Sequence, residues 1–133
     1  MRKLVAAAAL VGLVAGLLSS GVALGEEFPN TRCDPSGDSC ISVKRINGVR
    51  RLRIGMLFRY VPRHDVCVRK VEPRRGDRTC HTFRARRLPS GLFGSSVVWR
   101  DHYPFEGRGV YRVSWFSGGQ PWGALKFRVR GGA

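Results

Sequence analysis

The strongest constraint on this chain is an alternation of apolar and polar residues near its C-terminus. Residues 109–130 read GVYRVSWF, then SGGQP, then WGALKFRVR. Tyr111, Val113 and Trp115 alternate with Val110, Arg112 and Ser114. Beyond the break, Leu125, Phe127 and Val129 alternate with Lys126, Arg128 and Arg130. Successive side chains of a strand point to opposite faces, so a period of two is the signature of a half-buried strand. The glycines and proline of 117–121 punctuate a hairpin. Two strands with one apolar face are not stable alone in water, so a second layer must cover them.

The rest of the chain supplies candidates for that layer. Residues 41–46 fit a short edge strand, and Asn47-Gly48 is a strong two-residue turn. Residues 50–60 alternate cleanly, with Leu52, Ile54, Met56, Phe58 and Tyr60 on one face and Arg51, Arg53 and Arg59 on the other. This predicts a central core strand. Residues 64–71 and 79–87 read as a hairpin, and 95–101 as a further strand carrying Val97 and Trp99. No amphipathic helix, repeat or low-complexity tract is present. About seven short strands between turn signals predict an all-β, two-sheet antiparallel sandwich.

The N-terminus has the form of an export signal. A basic head, Met1-Arg2-Lys3, precedes an apolar run over 4–18 and the small residues Ala23-Leu24-Gly25. This predicts a signal peptide over 1–25 and a single domain over 26–133, secreted or otherwise extracytoplasmic. Cleavage after Gly21, or retention as an anchor, are the alternatives. Export gives meaning to the four cysteines. Cys33, Cys40, Cys67 and Cys80 are even in number and read as two disulfides, with the local pairing preferred among three connectivities. Placing Cys67 opposite Cys80 sets a register in which Val68 faces Thr79, Val66 faces His81 and His64 faces Phe83. Their spacing matches no zinc site.

The segment Gly109-Val110-Tyr111-Arg112-Val113, with the hairpin that ends Gly123-Ala124-Leu125-Lys126-Phe127-Arg128-Val129, resembles the end of an immunoglobulin-like sandwich domain of exported bacterial proteins. A fibronectin-like sandwich fits nearly as well. In that family a Gly-x-Tyr opens the next-to-last strand and the tyrosine hydroxyl returns to the upstream backbone, a role the resemblance gives to Tyr111. The match covers about a fifth of the chain and has departures. Val113 stands where antibody domains have their second inter-sheet cysteine, and no Trp lies near Cys67. Trp99 and Trp115 are the residues left to fill the core.

Catalytic patterns are missing from the sequence. There is no G-x-S-x-G elbow and no H-E-x-x-H pair. The nine acidic residues lie mostly in turns or beside arginines. Asp34 and Asp38 alone offer too few ligands for calcium. His64 and His81 fall on a diagonal of one sheet face with no third ligand, which suits partly buried sheet residues better than a metal site. The expectation is a non-enzymatic module without metal or cofactor.

Charge is the remaining signal. Lys and Arg total 24 against nine Asp and Glu, a formal +15. Without Arg2 and Lys3, 22 basic residues remain and the balance is +13. Only four of the 24 are lysines, so arginine-rich codon usage competes with selection for an anionic partner. If the last two strands join the Cys67–Cys80 hairpin in one sheet, Arg69, Arg84, Arg86, Arg112, Lys126 and Arg128 all point outward. That face would bind a polyanion, with an anionic envelope polymer or acidic glycan as partner. Nucleic acid is disfavoured because the aromatics fall at inward positions. The bland alternative is a solvated face that guards the sheet against aggregation. A second functional reading is a protein-recognition module, an inhibitor or effector, acting through loops 62–64 and 103–108 at one end of the sandwich.

Overall fold

The computed structural model describes residues 28–57 and 61–131. The expected signal segment, and the expected strand residues Phe58, Arg59 and Tyr60, lie outside them. Among the described residues, nine strands form two antiparallel sheets. They are β1 (Thr31–Cys33), β2 (Ser39–Ile46), β3 (Val49–Met56), β4 (Arg63–Glu72), β5 (Thr79–Arg84), β6 (Arg86–Arg87), β7 (Phe93–Val98), β8 (Gly109–Ser117) and β9 (Gln120–Val129). One sheet has the order β1-β2-β3-β7-β6 and the other β5-β4-β8-β9. The fold is thus the expected all-β sandwich, with a helical turn, α1 (Trp99–His102), between β7 and β8.

Alternation builds the core. Ile41 and Val43 of β2, Leu52 and Ile54 of β3, and Val66 and Val68 of β4 are buried. They meet Tyr111, Val113 and Trp115 of β8 and Leu125, Phe127 and Val129 of β9. Trp115 is fully buried, and Trp99 joins it in the core, edge-on to Tyr111 and Phe127 at 5.0 and 5.4 Å between ring centroids. Two tight turns close hairpins through positive φ, at Asn47-Gly48 and at Gly118-Gly119. Such turns twist with the strands they join, and glycine and asparagine tolerate them best.

Cys33–Cys40 and Cys67–Cys80 are both disulfide-linked. Each pair sits directly across a ladder, Cys33 opposite Cys40 and Cys67 opposite Cys80. The predicted partners Val68–Thr79, Val66–His81 and His64–Phe83 are also opposed. Two disulfides suit an oxidising compartment outside the cytoplasm. Among the described residues, no helix is long and apolar enough to cross a membrane.

Three expectations need correction. β2 is not an edge strand, because the short β1 pairs with its free side. The expected strand 95–101 ends at Val98, and Trp99 starts α1. The expected strand 79–87 breaks at Ala85, which is buried and whose N–H bonds the carbonyl of Pro62 at 2.8 Å. Past that break the chain changes sheet, and β6 pairs with β7.

Candidate polyanion-binding face

The outer face of β5-β4-β8-β9 gathers most of the cations singled out by sequence. Arg69 lies opposite Arg112, and Arg112 opposite Lys126. The three form a row across three neighbouring strands, with Arg112 and Lys126 exposed and Arg69 half-buried. Arg128 lies two residues further along β9 on the same face, opposite Val110. Its Cζ is 5.7 Å from the ring centroid of Phe28, and Lys126 Nζ is 5.9 Å from the same centroid.

Two residues fall elsewhere. Arg84 shares the face but pairs with Arg63 at the far end of β5. Six residues along β4 separate that position from Arg69, roughly 20 Å of extended chain. Arg86 leaves the set altogether, since it belongs to β6 in the other sheet, opposite Gly94. The outward alternation of 79–87 is real, but the crossing at Ala85 carries its second half to the opposite layer. Arg51 and Arg53 line the outer side of β3, opposite Lys44 and Ser42.

Three further cations border the patch. Arg78 and Arg75 border a shallow groove with Arg69 and Arg112. Arg32, from β1 of the other sheet, borders a second groove with Arg112 and Lys126. Phe116 sits in both grooves, and the Arg78 guanidinium lies 4.8 Å from its ring centroid. One Arg78 Nη also donates to Cys67 Sγ at 3.3 Å. Arg78 was legible, because extending the Cys67–Cys80 ladder one step beyond Val68–Thr79 puts it opposite Arg69. Arg32 was not, since its place depends on how β1 meets β9. Among the described residues, Arg69, Arg75, Arg112 and Lys126 have no carboxylate ion pair.

The Tyr111 hydroxyl donates to the carbonyl of Gly107 at 2.7 Å and accepts the N–H of Glu106 at 2.9 Å. Burial pushes its ionisation upward. The Tyr103 hydroxyl donates to the carbonyl of Val66 at 2.6 Å. Loop 103–108 is therefore tied down at both ends. It sits by the Glu72 end of β4, where Glu72 meets Val110, whereas Pro62 and Arg63 lie at the other end. The two recognition loops do not share one end of the sandwich, because β4 runs between them. His64, assigned to the first loop, is a buried residue of β4.

The histidines act within the fold. His64 Nε2 and Ser95 Oγ are 2.6 Å apart, a polar bridge between the sheets. Both residues are buried, at 2% and 8% exposure, which keeps substrate from this Ser-His pair. Burial lowers the His64 basicity, partly offset by the charge of Asp65. His81 Nε2 lies 2.6 Å from the carbonyl of His102. Among the described residues, no three His, Cys, Asp or Glu side chains are placed to hold a metal. Asp34 organises its own disulfide loop, accepting from the hydroxyls of Ser36 and Ser39 at 2.9 and 3.1 Å. The Ser36 bond leads in holding its carboxyl below the usual range.

Comparison of the chain with known protein families, curated proteins and solved structures finds no match.

Proposed function

We propose that this is an immunoglobulin-like, exported, non-enzymatic module that holds an anionic envelope polymer or acidic glycan against the outer face of β5-β4-β8-β9. The Arg69–Arg112–Lys126 row carries the reading. Neighbouring strands stand about 4.8 Å apart. Like charges placed directly opposite one another destabilise a sheet. A polymer with phosphate or carboxylate groups at short repeat turns that repulsion into attraction, and arginine forks engage such groups bidentately. The two grooves beside the row give the polymer a path over Phe116 instead of a single contact point.

Strand order supports the immunoglobulin-like assignment. The orders β2-β3-β7-β6 and β5-β4-β8-β9 correspond to A-B-E-D facing C′-C-F-G in such domains. Tyr111 lies at the start of the strand that carries the tyrosine corner. The departure is the disulfide, which links two strands of one sheet where antibody domains bridge two sheets. Nucleic acid is a poorer ligand. Phe116 and Phe28 are each approached by a cation, so the face offers no run of open rings for bases to stack on.

Chromatography on immobilised polyphosphate or heparin tests this. Retention should fall steeply with salt. Reversing Arg69, Arg112 and Lys126 to Glu should weaken retention far more than reversing Arg53, Arg74 and Arg108. Equal loss from the two sets would leave only general charge and no site. Retention from envelope extracts that survives high salt would favour a loop-mediated protein contact.

A further inference from the structure

A second concentration of charge lies at one end of the sandwich, where β2, β3, β9 and α1 converge. A pocket of about 260 Å³ is lined there by Arg45, Arg50, Arg100, Arg128 and Arg130, with Trp99. Among the described residues that line it, none is a carboxylate. Arg50 lines it from β3. The alternation of β3 puts Arg50 on the same side as Leu52 and Ile54, so it enters the end of the core and is half-buried. Its guanidinium lies 4.7 Å from the Phe127 ring centroid and 5.9 Å from that of Trp99. One Nη donates to the carbonyl of Arg128 at 3.3 Å. Burial, followed by the charge of Arg45, disfavours its cationic form.

The two ring contacts hold the guanidinium in place and favour its charge. They leave its other N–H groups for an acceptor. Trp99 Nε1 and Arg128 Nε, on two further residues of the wall, are buried and make no protein hydrogen bond. A buried N–H without an acceptor costs about 1–3 kcal/mol. Convergent guanidinium donors suit an acceptor-only group with several oxygens and more than one negative charge. The volume is below that of a drug-sized site, roughly 300–1,000 Å³. It fits one phosphate group and a short polyol or sugar.

We infer that this pocket binds a single phosphate monoester carried on a small polyol or sugar, a site separate from the sheet face. A shallow groove lined by Phe28, Lys126, Arg128 and Arg130 joins the two. The phosphate therefore has two sources, a free small molecule or the terminal phosphate of a polymer lying on the face. The pocket is independent of the face reading, and either can fail alone.

Isothermal titration calorimetry of the exported domain in 0.15 M sodium chloride tests the proposal, with glycerol 3-phosphate and inorganic phosphate as probes. Saturable one-to-one binding is expected, tighter for the ester. Arg50→Gln should weaken it about tenfold or more, the effect of losing a charge-assisted bond. Arg130→Gln, at an exposed position on the pocket rim, should weaken it several-fold with an unchanged melting temperature, which keeps the test valid if Arg50→Gln fails to fold. Arg112→Gln with Lys126→Gln should leave it unchanged. A phosphate-terminated polymer that loses affinity on phosphatase treatment would identify the terminal source, and an unaffected polymer the free ester. No saturable binding of either probe, or equal loss from pocket and face variants, overturns the proposal.

Discussion

At the scale of single residues, the positions that matter most are buried polar groups with few partners. Tyr111 satisfies two backbone groups of the loop before β8 through one hydroxyl. Tyr111→Phe keeps the ring stacked on Phe127 and removes both bonds. Unfolding in urea should show a loss of about 1–3 kcal/mol. His64 makes a different prediction. Its folded basicity is lowered by burial, so on acidification the unfolded chain takes up a proton before the folded one. Stability from this group is complete above the ordinary histidine value of 6.5. It falls as pH drops below that value, by up to about 1.4 kcal/mol per pH unit, until the folded form is also protonated. The Asp34 carboxyl, held below 3.8, loses its contribution only in stronger acid. Urea midpoints of the wild type and His64→Gln should therefore converge between pH 7.5 and 5. Parallel curves over that range would mean that His64 does not titrate differently on folding.

Elements were legible where the information was local. The Cys67–Cys80 hairpin was readable because a disulfide across a ladder and two alternating runs demand the same register. Where the chain changes layer, the pattern gave no warning. Thr82, Arg84 and Arg86 continue one alternation through a crossing that only the burial of Ala85 and its bond to Pro62 reveal. Arg50 is the converse case. Its parity with Leu52 places it inward, and nothing in the local pattern shows that β9 and α1 close a pocket beside it. The join of β4 to β8 was equally hidden. Their register slips between Lys70 and Glu72, and Gly109 lies against that slip with φ of 148°. A Cβ there would run into the Glu72 carbonyl and come within 2.8 Å of Lys70 Cε. The Lys70 side chain can swing aside, but the Glu72 carbonyl is backbone and cannot shift without disturbing the bulge. Gly109→Ala should cost about 2–3 kcal/mol. Gly118→Ala sits in an open turn with nothing near its Cβ, and should cost less in the same unfolding experiment despite its own positive φ.

For the whole molecule, the distribution of charge matters more than its sum. A formal +15 spread evenly would be a mild, long-range self-repulsion. Here the Arg69–Arg112–Lys126 row holds like charges on directly paired strands, and five arginines line the end pocket. Repulsion at that range is only partly screened, since the Debye length is about 10 Å at 0.1 M salt. The fold should therefore stabilise as sodium chloride rises from low to moderate concentration, the reverse of a domain held together by surface ion pairs. An anion that binds the folded state adds stability by mass action on top of screening. At one fixed ionic strength, polyphosphate should raise the melting temperature above the chloride value, and the Arg69, Arg112 and Lys126 charge reversals should remove most of that extra rise. Neutralising the three with Gln relieves the row, so that variant should start from a higher melting temperature in low salt than its parent. A lower starting point with the polyphosphate effect intact would show that the row serves the fold and that polymer binding lies elsewhere.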